Sequence, residues 1–280
     1  MASWGEYYHA IASQMALYRE SNRRLCELAE LRPGMTVVDL GAGSGLTSLA
    51  ALEQVPEGLR LILIDTSPTM MDEARRHLGD RAEAYHVADA AAGAELVSEK
   101  VDRVLCNMAL WSFGEPEGVL RAWRTKIKPT GRFCFNFSGT YFNTRRDWVT
   151  PQYVLIQELH RRGALSRGLP QVDRLPNQRS IEGTLKAVGY KPFQFEAQEI
   201  ASALPDTEPG GELYNLMRLT PVLPGQDHRD AAARSLAALP EVAEALAETE
   251  ARWLVAHFAA QPSLTPEELL MQKFGGRLPG

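Results

Sequence analysis

Cysteine is scarce in this 280-residue chain: Cys26, Cys106 and Cys134 are widely spaced, with no CxxC pair among them. That pattern fits neither a disulfide framework nor a zinc site. Cys106 and Cys134 lie in apolar runs, where a thiol behaves as a small core side chain. Positive charge is not in excess either. Thirty Lys and Arg against 35 Asp and Glu leave a formal net charge of −5. Gripping a phosphate backbone calls for a basic face, and pairs such as Arg145-Arg146 and Arg161-Arg162 are too short to supply one. No run approaches the roughly 18 apolar residues of a membrane span. The opening MASWGEYYHA has no basic stretch followed by an apolar one, so no signal peptide is expected and a reducing cytoplasm is the expected compartment. Internal repeats and low-complexity tracts are missing too. What is present is an ordinary globular composition, 45% hydrophobic and 23% charged, long enough for one large domain or a domain with an insertion.

Periodicity divides the chain. Helical spacing of Ile11, Met15, Tyr18, Leu25 and Leu28 predicts a helix over Ile11–Leu31, with an interruption and new cap at Ser21-Asn22. After the turn Arg32-Pro33-Gly34, strands and helices alternate. Strands are expected at Thr36–Leu40, Leu59–Asp65, Ala84–Val87, Val101–Asn107 and Gly131–Phe137. Helices are expected at Leu46–Val55, Pro68–Leu78 and Pro116–Ile127. Strands without polar alternation, separated by helices, mean a parallel sheet covered on both faces. In such a sheet the ligand lies beyond the strands' C-terminal ends. Past Phe137 the rhythm changes: a helix over Pro151–Arg162, a helix over Ser180–Val188, and a strand over Tyr190–Ile200. Helices follow around Gly211–Leu219 and Asp227–Glu250, then Arg252–Phe258, which reads as a strand or a helix end and is favoured as a strand. A short helix from Pro266 to about Phe274 closes the chain.

The stretch TVVDLGAGSGLTSLA, residues 36–50, reads as strand, glycine turn and helix start. It is not the G-x-G-x-x-G of dinucleotide folds, since the third position is Leu46 and the extra glycine is Gly45; nor is it a phosphate loop, since no Lys-Ser or Lys-Thr follows. Asp39, just before the glycines, would repel a pyrophosphate and suit a ligand carrying an ammonium group. Asp65 ends the second strand at about the distance from which an acid reaches ribose hydroxyls, and Asp89 follows the third strand, where it could accept from an adenine amino group. Three acids after three successive strands describe adenosine with a cationic amino-acid tail, that is, S-adenosylmethionine.

The chain resembles the class I S-adenosylmethionine-dependent methyltransferases, specifically the small-molecule type related to the ubiquinone and menaquinone methyltransferases. The resemblance rests on VVDLGAGSGLTSLA at 37–50, LILIDTSPTMMDEAR at 61–75, YHVADAAA at 85–92, VDRVLCNMALWSF at 101–113 and KPTGRFCFNF at 128–137. It implies a Rossmann-like α/β fold with a seven-stranded, mainly parallel sheet, helices on both faces and the last strand antiparallel, so that Tyr190–Ile200 and Arg252–Phe258 form the closing hairpin. It also implies the organisation: N-terminal helices over 1–31 capping the cofactor site, a core over 32–200 with a lid helix at about 141–176, a helical lid insertion over 201–250, and a closing strand and tail over 251–280. By position, Asp39 and the turn of Gly41, Ala42, Gly43 and Gly45 would hold the methionine part. Asp65 would bind the ribose, with Thr66 and Met70 beside the adenine. Asp89 and Ala90 would contact the adenine edge, and Asn107 would sit next to the sulfonium through its backbone. After the fourth strand stands Asn107-Met108-Ala109-Leu110 in place of the Asn/Asp-Pro-Pro-Tyr/Phe of base methyltransferases, and the aspartate cluster of magnesium-dependent catechol enzymes is missing. No nucleic-acid substrate, no membrane and no metal are therefore expected.

Other candidates are less determined by pattern. Tyr7 and Tyr8 could close aromatic faces over the sulfonium or simply pack a helix. Met70 suits core packing as well as adenine. Trp111 and Phe113 are expected to wall the acceptor pocket, with Asn136 and Tyr141 as further lining residues. His9, His160 and Tyr214 are candidate general bases, although a lone histidine more often caps or packs. The partner is a small-molecule acceptor, with a homodimer also open. Two rival readings stand beside methyl transfer. One is a protein of the same fold that binds S-adenosylmethionine but catalyses a cyclisation or rearrangement, or serves as a binding partner. The other is a nucleotide-dependent oxidoreductase.

Overall fold

The computed structural model describes residues 4–138, 176–202, 251–265 and Leu269. The expected lid helix, the helices between 203 and 250, and most of the expected tail helix lie outside the described residues. Seven strands form one sheet: β1 (Thr36–Leu40), β2 (Arg60–Asp65), β3 (Ala84–Val87), β4 (Val101–Cys106), β5 (Ile127–Ser138), β6 (Tyr190–Ser202) and β7 (Ala251–Pro262), in the order β3-β2-β1-β4-β5-β7-β6. β1 through β5 are mutually parallel, whereas β7 runs antiparallel to both β5 and β6. The order turns back at β1, with β2 on one side and β4 on the other. This is the switch point where an open α/β sheet leaves a crevice.

Successive side chains of a strand point to opposite faces, and here both faces are apolar. Val38, Leu40, Ile62, Ile64, Val104 and Phe133 pack with Trp123 of α5 (Pro116–Lys126) and Leu185 of α6 (Gln178–Ala187). Val37, Leu61, Leu63, Leu105 and Cys134 pack on the other side. Their partners are Leu25 of α2 (Ala16–Ala29), Ala51 of α3 (Leu46–Gln54) and Met71 of α4 (Pro68–Leu78). All five residues of β1 are buried, which is why that strand shows no alternation. The three thiols are buried as well, and burial pushes Cys134 up to about 12.

Several boundaries differ from the sequence reading; β7, for one, spans Ala251–Pro262 where a strand over Arg252–Phe258 is expected. The N-terminal helix is two helices, α1 (Trp4–Ala12) and α2, and the break falls at residues 13–15, not at Ser21-Asn22. Both residues of that pair are buried inside α2 because they are satisfied there. Ser21 Oγ donates to the Tyr18 carbonyl at 3.3 Å, and Asn22 Oδ1 accepts from Thr47 Oγ1 of α3 at 2.8 Å. β5 begins at Ile127, four residues before the expected start, and a register shift against β4 between Val101 and Arg103 absorbs the Lys128–Gly131 stretch.

Candidate functional site

The glycine turn after β1 is stitched to β2. Gly41 and Ala42 amides both donate to the Ile64 carbonyl, at 2.8 and 3.1 Å, and the Gly43 amide donates to Asp65 Oδ2 at 2.8 Å. Gly41 lies in the left-handed region at φ 69°, where an L side chain is disfavoured. A Cβ there would stand 2.6 Å from the Ala109 Cβ, so glycine lets the turn meet the segment after β4 edge to edge.

Asp65 ends β2. Its Oδ1 accepts from the Ser67 amide at 2.9 Å while Oδ2 holds Gly43. Burial raises its pKa, opposed by the Ser67, Gly43 and Thr66 amides. A carboxylate has about four acceptor sites, so two amide bonds leave capacity for hydroxyl donors. Ser67 also caps α4, with Pro68 at the first helical position. Asp89, after β3, is exposed and uses Oδ1 to accept from the Ala91 and Ala92 amides at 2.8 and 3.3 Å, just before the short 3-10 turn Ala92–Leu96.

These ends surround a cavity of about 240 Å³, lined by Gly41, Asp65, Thr66, Asp89, Ala109 and Phe113 together with Ile64, Ala88, Ala90, Ser112 and Gly114. Among the described lining residues two are carboxylates and none is Lys or Arg. Of the expected ligand residues, Gly41, Asp65, Thr66, Asp89 and Ala90 are brought together here, as is Phe113 of the expected acceptor wall. Tyr8 lies nearby, its ring edge 3.9 Å from where a Gly43 Cβ would stand and edge-on to Tyr18 at 6.0 Å. Burial lifts the Tyr8 phenol to about 12, its bond to Tyr18 acting the other way, so it stays neutral.

Other expected site residues lie away from the described cavity lining. Asp39 does not open on the cavity. It is 1% exposed, its Oδ2 accepts both the amide and the hydroxyl of Ser48 at 3.0 and 2.8 Å, and it thereby ties β1 to the start of α3. Burial pushes it up to about 7, with the Ser48 donors opposing, and its Oδ1 has no hydrogen-bond partner among the described residues. Ala42 and Met70 are buried away from the cavity lining, Ala42 in the α2–α4 core cluster and Met70 in the first turn of α4. His9 is not at the cavity either. Its ring stacks on His77 at 3.6 Å and 10°, and its Nδ1 meets Ser44 Oγ at 3.1 Å, so it fastens α1 to α4 and the glycine turn. Burial, then His77, lowers its pKa. His9, His77 and Glu73 bring ligand atoms within 4.8 Å of one another. However, Arg76 already pairs with Glu73, and two parallel stacked rings cannot aim their lone pairs at one ion.

Asn136 does not line the pocket; it is wholly buried behind the end of β4. Its Oδ1 accepts from the Met108 amide at 2.7 Å, and its Nδ2 donates to Asn107 Oδ1 at 2.6 Å and faces His257 Nδ1 at 3.4 Å. His257 Nε2 meets Gln198 Oε1 at 3.0 Å. Asn107 itself is absent from the lining, while Ala109 two residues on is present. Tyr141, His160 and Tyr214 lie outside the described residues, as do the side chains of Tyr7 and Trp111. Ser112 lines the cavity with Phe113, as the Trp111–Phe113 segment predicts. Sequence reasoning missed Ala109, inside the VDRVLCNMALWSF block, Gly114, just after it, and His257, for which no local signal exists.

Burial holds His257 near pKa 4, only partly opposed by Glu196. A histidine whose folded pKa lies below the unfolded value of about 6.5 loses stability as pH falls through that window, because the unfolded chain binds the proton first. Between pH 7 and pH 5 this amounts to about 2 kcal/mol at 1.36 kcal/mol per unit. Asp39 titrates in the same range with the opposite sign, but it is common to wild type and variant. Urea unfolding at the two pH values should therefore show the wild type losing about 2 kcal/mol more than His257→Asn.

A methyltransferase-domain family profile matches residues 38–135. Among curated relatives, the ubiquinone/menaquinone biosynthesis C-methyltransferase UbiE of Shewanella frigidimarina is 24% identical over 167 residues, 55% of this chain and 62% of the relative. The chain thus matches somewhat under two thirds of that relative's length. The ubiquinone biosynthesis O-methyltransferase of Stutzerimonas stutzeri is 31% identical over 37% of this chain and 44% of its own length. Among solved structures, a methyltransferase from Thiobacillus denitrificans in complex with S-adenosyl-L-homocysteine superposes with TM-score 0.56 at 17% identity, covering 87% of this chain and 91% of that one. The [4+2]-cyclase SpnF has TM-score 0.56 at 15% identity, covering 89% and 82%.

Proposed function

We propose, from the methyltransferase-domain profile that residues 38–135 match and the class I methyltransferase fold they share, that the protein transfers a methyl group from S-adenosylmethionine to an O, N or C atom of a small organic acceptor. The observation that carries the reading is the cavity at the switch point, where Asp65 and Asp89 line the wall and none of the described lining residues is cationic. A dinucleotide or nucleoside triphosphate would bring phosphates with no counter-charge. A ribose diol and an adenine amino group are donors, and two carboxylates are acceptors.

The residues present fit the cofactor on further grounds. Asp65 retains acceptor capacity after two amide bonds, and Asp89 meets the Ala91 and Ala92 amides through Oδ1 alone, leaving Oδ2 to accept from a ligand. Gly41 brings bare backbone to the cavity wall opposite Ala109.

When bound, the cofactor supplies an electrophilic methyl group on a sulfonium, which the acceptor takes in one displacement with a neutral thioether leaving. The chain's task is then to orient and to exclude water. Asp65 and the turn fix the adenosyl end, and Phe113, Ser112 and Gly114 lie on the same cavity wall, where an acceptor would enter. No histidine or tyrosine is among the described lining residues. A base, if the acceptor needs one, would come from the expected lid, where His160 and Tyr214 remain the candidates.

The experiment is titration calorimetry with S-adenosylmethionine, S-adenosylhomocysteine and NAD in parallel. Micromolar binding of both adenosyl ligands and none of NAD is expected. Binding of NAD instead would overturn the reading. Incubation with candidate acceptors then separates methyl transfer, in which the product gains a methyl group, from a rearrangement that leaves the cofactor unconsumed.

A further inference from the structure

The buried polar chain running from the C-terminal hairpin to the end of β4 is not used by the mechanism above. Asn136 of β5 lies directly across from His257 of β7, and His257 across from Glu196 of β6. Asn136 and His257 are both 0% exposed. The donors and acceptors have one consistent direction. His257 as its Nε2–H tautomer donates to Gln198 Oε1, which leaves Nδ1 to accept from Asn136 Nδ2. The same Nδ2 group donates to Asn107 Oδ1, and Asn136 Oδ1 is left to accept from the Met108 amide. Every polar atom of Asn136 is engaged, as a wholly buried amide requires.

What this chain holds is a corner in an uncommon conformation. Met108 has φ 52°, one of two non-glycine residues with positive φ among those described, and such backbone persists only where its surroundings over-determine it. The next residue, Ala109, lines the cavity and stands where a Gly41 Cβ would be 2.6 Å away. The corner therefore sets how closely the wall after β4 approaches the glycine turn. Building on the cofactor reading, we propose that His257 and Asn136 are positioning residues that hold the Asn107–Ala109 corner at the distance from Gly41 required to bind the adenosyl cofactor. The hairpin β6–β7 thereby takes part in the site without touching it.

A side chain that merely fills the core would matter to melting temperature and not to the corner. His257→Leu removes both ring nitrogens, whereas His257→Asn keeps a polar atom at the Nδ1 position and none at Nε2. Two readouts apply at a temperature well below unfolding. In the free protein, the Met108 amide should exchange with deuterium faster in His257→Leu and return towards the wild-type rate in His257→Asn. In calorimetry, affinity for S-adenosylhomocysteine should fall by about tenfold, or about 1.4 kcal/mol, in His257→Leu, with recovery in His257→Asn. Unchanged exchange at Met108, or affinity that follows melting temperature alone, overturns the proposal. If His257→Leu does not fold, Gln198→Leu on the partly exposed edge strand should shift both readouts in the same direction by less, and no shift there also overturns it. A wild type that fails to bind S-adenosylhomocysteine overturns the cofactor reading, whereas a wild type that binds and variants that bind equally well overturn only this proposal.

Discussion

Asp65→Ala is expected to reduce affinity for S-adenosylhomocysteine by at least about a hundredfold while leaving a folded protein. Two hydroxyl bonds to an ionised acceptor account for roughly 3 kcal/mol together, since hydrogen bonds to charged groups contribute about 1.5–3 kcal/mol each. The variant also releases the Gly43 amide, which Asp65 Oδ2 holds at 2.8 Å, and so frees the glycine turn from β2. The Gly41 and Ala42 bonds to the Ile64 carbonyl remain, and neither they nor the sheet core depend on the carboxylate. Asp65→Asn separates the two roles: its remaining oxygen can serve one amide, but it turns a hydroxyl acceptor into a donor, so affinity should fall nearly as far. Calorimetry with circular dichroism as the folding control measures both, and wild-type affinity in either variant would remove Asp65 from the site. A pH series gives the sign. Burial raises this carboxyl above the ordinary aspartate value, so binding should weaken on acidification at a higher pH than an exposed aspartate would allow.

The parts of this site that were legible in the sequence are those written in local signals. α4 has the bounds its Ser67 cap, Pro68 and helical spacing predict, and β3 likewise matches. Gly41, Asp65 and Asp89 could be placed because strand ends and glycine turns are short-range features, and the switch point follows from topology alone. The misreadings share a cause as well. Ser21-Asn22 looks like a helix break, but Asn22 is satisfied by Thr47, 25 residues away. Asn136 sits at a strand end where acceptor-binding residues are often found, yet its partners, at separations of 28, 29 and 121 residues, turn it inward. His9 is a candidate base because its segment could face the substrate, but its stacking partner His77 comes from another helix, which no local pattern shows. Side-chain direction at a strand or helix end is decided by tertiary pairing, and no window of sequence carries it.

Gly41→Ala is expected to destabilise the protein by about 3 kcal/mol and to reduce cofactor affinity as well. The left-handed backbone at φ 69° accounts for ~1–2 kcal/mol with an L side chain. The contact accounts for a comparable amount: the new methyl would stand 2.6 Å from the Ala109 Cβ, which cannot rotate away, and overpacking costs about 1–3 kcal/mol. Gly43→Ala is the control. Its φ is also positive, at 53°, but a Cβ there would meet only the Tyr8 ring edge at 3.9 Å, so it should show the backbone cost alone. The two terms at Gly41 can be separated by a second substitution. Ala109→Gly removes the clashing carbon and leaves the Phe113 ring edge at 3.2 Å as the next neighbour, the far end of a side chain that can shift. In a double-mutant cycle the pair should be less destabilised than the sum of the singles by about 1–2 kcal/mol, the overpacking share, with the backbone share left behind. Urea unfolding of the four proteins measures this directly. Strict additivity would mean that the turn and the wall after β4 do not meet at Gly41, and the cavity they enclose would lose its shape as the basis for cofactor recognition.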